Sequence, residues 1–212
     1  MQFNMDEINW DKVNGMLPVI VQHDLNGQVL MQGYMDQAAL TKTITSGKVT
    51  FYSRTKQRLW TKGEQSGHFL NVQSLCLDCD HDCLLIQAKP QGPTCHLGSV
   101  SCFNDKQAQP FIMQLAQIIN SRKNEASDAS YTSKLFTRGT KRIAQKVGEE
   151  GLETALAAAT NDKAELINEA SDLLFHLLVL LEDQQLDMDS IYANLQQRNR
   201  SMTKKQTDKS KT

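Results

Sequence analysis

The sequence predicts two domains of different class: a β-rich α+β metal-binding domain over residues 1–105 and an all-α helical bundle over 106–203, with a disordered tail over 204–212. Three observations carry that prediction. All four prolines (18, 90, 93 and 110) lie in the first 110 residues. All five cysteines fall between 76 and 102. After Pro110 the apolar residues change from short runs to helical spacing.

The first half reads as strands and turns. Leu17–His23 and Val29–Tyr34 are apolar runs separated by Asp24-Leu25-Asn26-Gly27, a hairpin signal because Asn-Gly tolerates positive φ. Asp36 has the character of an N-cap for a helix ending at Gly47. Further strands are expected at Val49–Ser53, Arg58–Lys62, Phe69–Leu77 and Cys83–Ala88, each bounded by Gly, Asp or Pro. Asn104–Gln109 is the expected linker. In the second half, Phe111, Ile112, Leu115, Ile118 and Ile119 recur at helical spacing over Phe111–Asn120. A short turn of helix follows at Ser133–Phe136, then long helices at Lys141–Ala159, Lys163–Glu182 and Met188–Arg200. Short connections between helices read as a bundle.

Composition removes several function classes. The 212 residues carry a formal net charge of −1, which gives no electrostatic reason for a nucleic-acid partner. Mean hydropathy is −0.46. The longest apolar run, Leu173–Leu181, is interrupted by His176 and falls far short of the roughly 18 residues a membrane span requires. Met1–Glu7 has neither a basic nor an apolar signal region, so a cytoplasmic location is expected.

In a reducing compartment, clustered thiols more often bind metal or do chemistry than form disulfides. The segment Cys76-Leu77-Asp78-Cys79-Asp80-His81-Asp82-Cys83 is followed by Gly92-Pro93-Thr94-Cys95-His96 and Ser101-Cys102-Phe103. Spacing alone leaves three readings open: a structural zinc site of Cys76, Cys79, Cys95 and Cys102, buried or redox-active thiols, and a catalytic zinc with three protein ligands. Asp78, Asp80 and Asp82 alternate, which on an extended segment puts three carboxylates on one face and Cys79 on the other. Like charges so placed call for a cation, and oxygen ligands suit Mg²⁺. A solvated acidic turn is the plainer alternative.

Residues 16–103 resemble the phosphoribosyl-AMP cyclohydrolases of histidine biosynthesis. The resemblance rests on Val29-Leu30-Met31 with Gly33-Tyr34-Met35, on Tyr52-Ser53-Arg54, and on Leu59-Trp60-Thr61-Lys62-Gly63-Glu64 with Ser66-Gly67. Asp78-Cys79-Asp80-x-Asp82, Gly92-Pro93-x-Cys95-His96-x-Gly98 and Ser101-Cys102-Phe103 complete it. The resemblance implies Zn²⁺ on Cys79, Cys95 and Cys102, Mg²⁺ on Asp78, Asp80 and Asp82, and a homodimer with metal sites at the subunit interface. Cys76 and Cys83 lie outside that pattern and are expected to be ordinary buried thiols. The implied chemistry is addition of a zinc-activated water at C6 of an N1-alkylated adenine, followed by opening of N1–C6. His96 is the candidate for proton transfer or orientation, or else a hydrogen-bonding neighbour of the ligands. Arg54, Lys62 and Ser66 are candidates for phosphate contacts, with a solvated surface as the alternative. Trp60 is read as stacking on a purine or as a core residue.

The second half carries Glu149, Glu150 and Glu153 over roughly one helix face, and Glu169 and Asp172 one turn apart on the next helix. If the helices pack antiparallel, five carboxylates converge as bundles arrange them for divalent metals. The alternative is a solvated face with Lys146 paired to Glu150. Gly148 and Gly151 weaken the helix there, which suggests close approach of a ligand or a neighbouring helix. Together with Ser130-Tyr131-Thr132 and Leu135-Phe136-x-x-Gly139, the pattern resembles the all-α nucleotide pyrophosphohydrolases, specifically the phosphoribosyl-ATP pyrophosphohydrolases, over residues 110–200. The resemblance implies that Glu149, Glu150, Glu153, Glu169 and Asp172 hold Mg²⁺, with Glu150 catalytic. Lys141, Arg142 and Lys146 are candidate phosphate ligands, and His176 a core or supporting residue.

The expectation is a fused two-step hydrolase. Its helical half would convert phosphoribosyl-ATP to phosphoribosyl-AMP and pyrophosphate, and its β-rich half would open the ring of that product. Two rivals make different predictions. A zinc-binding regulator requires four thiolates and a basic face. A general nucleoside triphosphate hydrolase would prefer ordinary triphosphates.

Overall fold

The computed structural model describes residues 3–103, 108–125 and 129–209, with the backbone alone described for 202–209. The chain forms two compact units that divide at Pro110/Phe111. The boundary expected at residue 105 and most of the expected linker fall at 104–107, outside the described residues.

In the first unit, alternation decides which side chains face inward. Leu17, Val19 and Val21 of strand β1 (Leu17–His23) are fully buried. Gly27 takes φ +73 in the following turn, and the N–H of His23 donates to Gln28 O at 2.8 Å. Strand β2 (Val29–Met35) then pairs antiparallel with β1. Helix α1 (Gln37–Ser46) starts where Asp36 accepts from the Ala39 N–H at 2.7 Å and stops at left-handed Gly47. Strands β3 (Thr50–Ser53) and β4 (Arg58–Thr61) form a two-stranded ribbon. Phe51 of β3 packs onto β2 at Gly33, where any Cβ would overlap its ring. Strands β5 (Leu70–Leu77) and β6 (Leu84–Pro90) complete a four-stranded sheet of order β2-β1-β6-β5. Only the central pair, β1 and β6, is parallel.

This topology separates the two halves of the motif. Residues 78–83 connect β5 to the start of β6, whereas the segment bearing Cys95 leaves its far end. Seven residues of β6 intervene, roughly 20 Å of strand. The Cys102 segment is tied to that far end. The Ser101 hydroxyl donates to Val29 O at 2.7 Å and the Cys102 N–H to Leu30 O at 2.7 Å.

The second unit consists of α2 (Phe111–Lys123), α3 (Tyr131–Arg138), α4 (Thr140–Ala159), α5 (Lys163–Asp183) and α6 (Met188–Lys209). Ile119, Leu135, Ile143, Leu178 and Val179 form its buried core. The helix begun by Ser130, which accepts from the Ser133 N–H at 3.1 Å, is twice the length of the expected turn at 133–136. Helices α4 and α5 are joined by residues 160–162 and pack as an antiparallel hairpin. Helix α6 continues to Lys209, through residues expected to be disordered. No Gly or Pro interrupts that segment, and Lys and Gln are good helix formers. Among the described residues, no helix is long and apolar enough to cross a membrane.

Candidate active sites

The three aspartates converge, but not by strand alternation. Residues 78–83 form a turn, with His81 at φ +60. Oδ1 of Asp78 accepts from the N–H groups of Asp82 and Cys83, both at 3.0 Å, which curls the loop around that carboxylate. Partial desolvation pushes Asp78 up, but these backbone donors outweigh it and hold the group below the ordinary carboxylate range. One oxygen from each of Asp78, Asp80 and Asp82 lies within 4.8 Å of the others. Lys12 reaches the cluster from the N-terminal segment, pairing with Asp80 and, at 2.6 Å, with Asp82. The N–H of Asn9 donates to His81 O at 2.9 Å, and His81 Nδ1 lies 2.8 Å from Glu7 O, which ties the same segment to the loop.

The thiols divide between the two ends of the sheet. Cys95 and Cys102 are neighbours, and desolvation followed by the Cys95 thiol raises Cys102 above the ordinary thiol range. Cys79 is exposed on the aspartate loop and does not join them. The expectation that it sits back to back with the aspartates on one strand therefore fails, because the loop is not extended. The four-thiolate site within one chain fails for the same separation, since Cys76 lies on β5 near Cys79. Cys76 is exposed rather than buried, because β5 is an edge strand and this position faces outward. Cys83 is half-buried.

A cavity of about 290 Å³ opens beside Cys95, with Trp60, Lys62, Ser66, His68 and His96 among its walls. Gly98, at φ +88, closes the Cys95–Gly98 turn by donating to Cys95 O at 3.0 Å. Lys62 is only 8% exposed, and its ammonium has no carboxylate or hydrogen-bond partner among the described residues. Trp60 stacks on Phe51 at 5.8 Å and also lines the cavity. Arg54 lies over the Tyr34 ring at 4.0 Å, outside the cavity lining.

In the helical unit three of the five expected carboxylates come together: Glu150, Glu169 and Asp172, each with an oxygen within 4.8 Å of the others. Glu150 is buried and Glu169 half-buried. Lys146 pairs with Glu150 and lies 3.1 Å from Glu149, and its ammonium lowers both carboxyls. Glu149 turns away to Arg142 at 3.2 Å and Gln145 at 2.7 Å. Glu153 faces a neighbouring cavity with Glu165 and Glu169. Desolvation, reinforced by Glu150, Glu153 and Glu165, pushes Glu169 up to about 7. Among the described residues its buried Oε2 has no hydrogen-bond partner. An orphaned oxygen among converging acids fits a divalent cation.

The candidate phosphate ligands Arg142 and Lys146 thus engage glutamates, and Lys141 is exposed. Gly148 and Gly151 do not mark close approach of a neighbouring helix within the chain. Among the described residues, nothing lies within 4 Å of a Cβ built at Gly148, and one at Gly151 meets only Leu173 Cδ1 at 3.9 Å.

Three contributors were missed or undervalued in the sequence. Lys12 lies 68 residues from Asp80, beyond any local pattern. His68 stands beside the Ser66-Gly67 motif, which could have pointed to it. Tyr131 lies 3.0 Å from His176 Nε2, while His176 Nδ1 lies 2.8 Å from Asp172 O.

A family model for phosphoribosyl-AMP cyclohydrolase matches residues 31–104, and one for phosphoribosyl-ATP pyrophosphohydrolase matches residues 112–199. The histidine biosynthesis bifunctional protein HisIE of Shewanella oneidensis is 59% identical over 202 residues, covering 95% of this chain and 96% of that relative. The HisIE proteins of Escherichia coli K12 and Salmonella typhimurium are 61% and 60% identical over 193 residues, covering 91% of this chain and 95% of each relative.

Proposed function

Because the chain belongs to the family of histidine biosynthesis bifunctional proteins that join a phosphoribosyl-AMP cyclohydrolase to a phosphoribosyl-ATP pyrophosphohydrolase, we propose that its two residue clusters are the two metal centres of successive hydrolyses. The observation that carries this reading is the placement of one carboxylate trio in each unit, Asp78, Asp80 and Asp82 in the first and Glu150, Glu169 and Asp172 in the second.

In the helical unit, Glu150, Glu169 and Asp172 would hold Mg²⁺, with Glu149 and Glu153 at its margins. When bound, the metal would neutralise phosphate charge and activate water for attack on the α–β anhydride of phosphoribosyl-ATP. Lys146 keeps Glu150 ionised, as a metal ligand must be. His176 fixes the carbonyl of Asp172 from below.

In the β-rich unit, the aspartates would hold Mg²⁺ and the thiols Zn²⁺, which when bound lowers the pKa of its water to about 7. Cys95 and Cys102 supply two thiols from one copy. Cys79 would come from a second copy, since the length of β6 keeps it from its own chain's pair. Exposed Leu97, Val100 and Phe103 around the cysteines support a homodimer contact there, as do exposed Leu152, Leu156, Ile167 and Leu174 on the α4–α5 hairpin. His96, beside Cys95 in the cavity, orients or transfers a proton at the reacting ring. Lys62 and Ser66 bind substrate phosphate and Trp60 its purine, and Arg54 remains a phosphate candidate at the surface. Charged phosphorylated intermediates cross membranes poorly, which supports a cytoplasmic enzyme.

The test supplies phosphoribosyl-ATP with Zn²⁺ and Mg²⁺ and follows products. Glu150→Gln should stop pyrophosphate release. Cys102→Ser should leave it intact and accumulate phosphoribosyl-AMP. Loss of both activities from either change would sink the two-site reading.

A further inference from the structure

The cavity beside Cys95 contains a second imidazole, and His68 is held in it by two glycines. A Cβ at Gly92 would lie 2.8 Å from His68 Cδ2 and 3.0 Å from Cγ, so the ring rests directly on that backbone. A Cβ at Gly63 would lie 2.6 Å from the His68 carbonyl carbon and oxygen. Both glycines have positive φ, +149 and +91, so each is doubly constrained. The ring nitrogens of His68 make no hydrogen bond or ion pair among the described residues, although the ring lines the cavity.

The surroundings select an anion. Lys62 is largely buried and has no carboxylate partner among the described residues, and its ammonium is close enough to the Cys102 thiol to favour the thiolate. Glu64 also lines the cavity, but its carboxylate is engaged by Arg58 at 2.8 Å and by the Thr61 N–H at 3.1 Å. Ser66 Oγ accepts from the His68 N–H at 3.3 Å, which leaves its own proton to donate. An ammonium, a hydroxyl and an imidazole N–H together make a donor set for a phosphate monoester, and charge-assisted bonds of this kind are the strong ones.

We propose that His68 is a substrate-binding residue that, with Lys62 and Ser66, holds a phosphate monoester of phosphoribosyl-AMP in the cyclohydrolase cavity. The proposal rests on the cyclohydrolase reading above and adds a residue to it.

Ring opening is measured on the full chain with Zn²⁺ and Mg²⁺, using phosphoribosyl-AMP as substrate and AMP and adenosine as competitors. His68→Ala should raise KM by about tenfold while kcat stays within about threefold, the size expected for one charge-assisted hydrogen bond. His68→Asn, which retains a donor, should recover part of the loss. Competition by AMP should weaken in parallel, and competition by adenosine should not change. Unchanged zinc content in both variants checks that the fold is intact. An unaltered KM, a loss confined to kcat, equal weakening of both competitors, or no competition by AMP against the unaltered protein would each overturn the proposal. If the unaltered protein does not open phosphoribosyl-AMP at all, the cyclohydrolase reading itself fails and the proposal falls with it.

Discussion

Nζ of Lys12 lies 2.6 Å from Oδ2 of Asp82 and also contacts Asp80, so one ammonium spans two of the three carboxylates of the β5–β6 loop. The segment carrying it is fixed to that loop through Asn9 and His81. A divalent cation on the aspartates must therefore compete with, or displace, a cation supplied by the chain. Exposed ion pairs contribute up to about 1 kcal/mol. Lys12→Met should accordingly tighten Mg²⁺ binding to the loop by about fivefold. Calorimetric titration of the full chain measures this, with Asp80→Asn identifying the binding phase that belongs to the loop. An unchanged affinity in Lys12→Met would show that the ammonium does not compete.

The Lys12 contact also marks the limit of what the sequence discloses. Strands, caps and the α4–α5 hairpin were legible because their causes are local: Asp36 caps α1, Gly47 ends it, and Leu17, Val19 and Val21 alternate into the core. The acidic clusters were legible as groups but not in form: the aspartates meet through a turn rather than strand alternation, and of the five helical acids only Glu150, Glu169 and Asp172 meet. The cysteine set proposed for zinc was not legible as a place. Cys79, Cys95 and Cys102 are close in sequence, yet β6 runs between them and sends them to opposite ends of the sheet. Glu149 misled for a different reason. It has the spacing of a ligand, but Arg142 and Gln145 on its own helix draw it aside.

Glu169 gives a prediction in pH. Desolvation and its acidic neighbours raise it to about 7 in the folded chain, against an ordinary value near 4.5. A carboxyl raised on folding favours the folded state fully below its unfolded pKa and loses that contribution as pH rises through the folded one. In a chelator, thermal stability should therefore decline between pH 4.5 and 7 by a component that Glu169→Gln removes. Mg²⁺ binding should strengthen over the same interval, because the ligand must be ionised. Glu149 and Glu150 are lowered, chiefly by Lys146, so their contribution is lost only as pH falls below about 4.5. A Glu169→Gln profile that matches the unaltered protein would rule out this assignment.

The tautomer of His176 follows from its partners. Asp172 O can only accept, so Nδ1 carries the proton; Nε2 of a neutral ring then accepts from the Tyr131 hydroxyl. Tyr131→Phe deletes that donor and leaves Nε2 of a buried ring unpaired. The helical unit should lose about 1–2 kcal/mol of stability, read as a lower denaturant midpoint of the helical signal. Pyrophosphate release should fall as well, since His176 supports the Asp172 backbone. A midpoint equal to that of the unaltered protein would mean that water satisfies Nε2.

Gly148 and Gly151 give opposite predictions under two readings of the same helix. If the glycines admit a ligand or a neighbouring helix, a methyl group at Gly148 should obstruct it. Among the described residues nothing lies within 4 Å of that position, and its helical backbone suits alanine. Gly148→Ala should therefore stabilise the helical unit by about 1 kcal/mol, because glycine is the weaker helix former and loses more backbone entropy on folding. The second measurement is pyrophosphate release. Retained activity alongside higher stability would leave the glycine without a steric role in the reaction. A stable variant with a raised KM for phosphoribosyl-ATP would instead place the substrate against Gly148, one residue from Glu149 and two from Glu150.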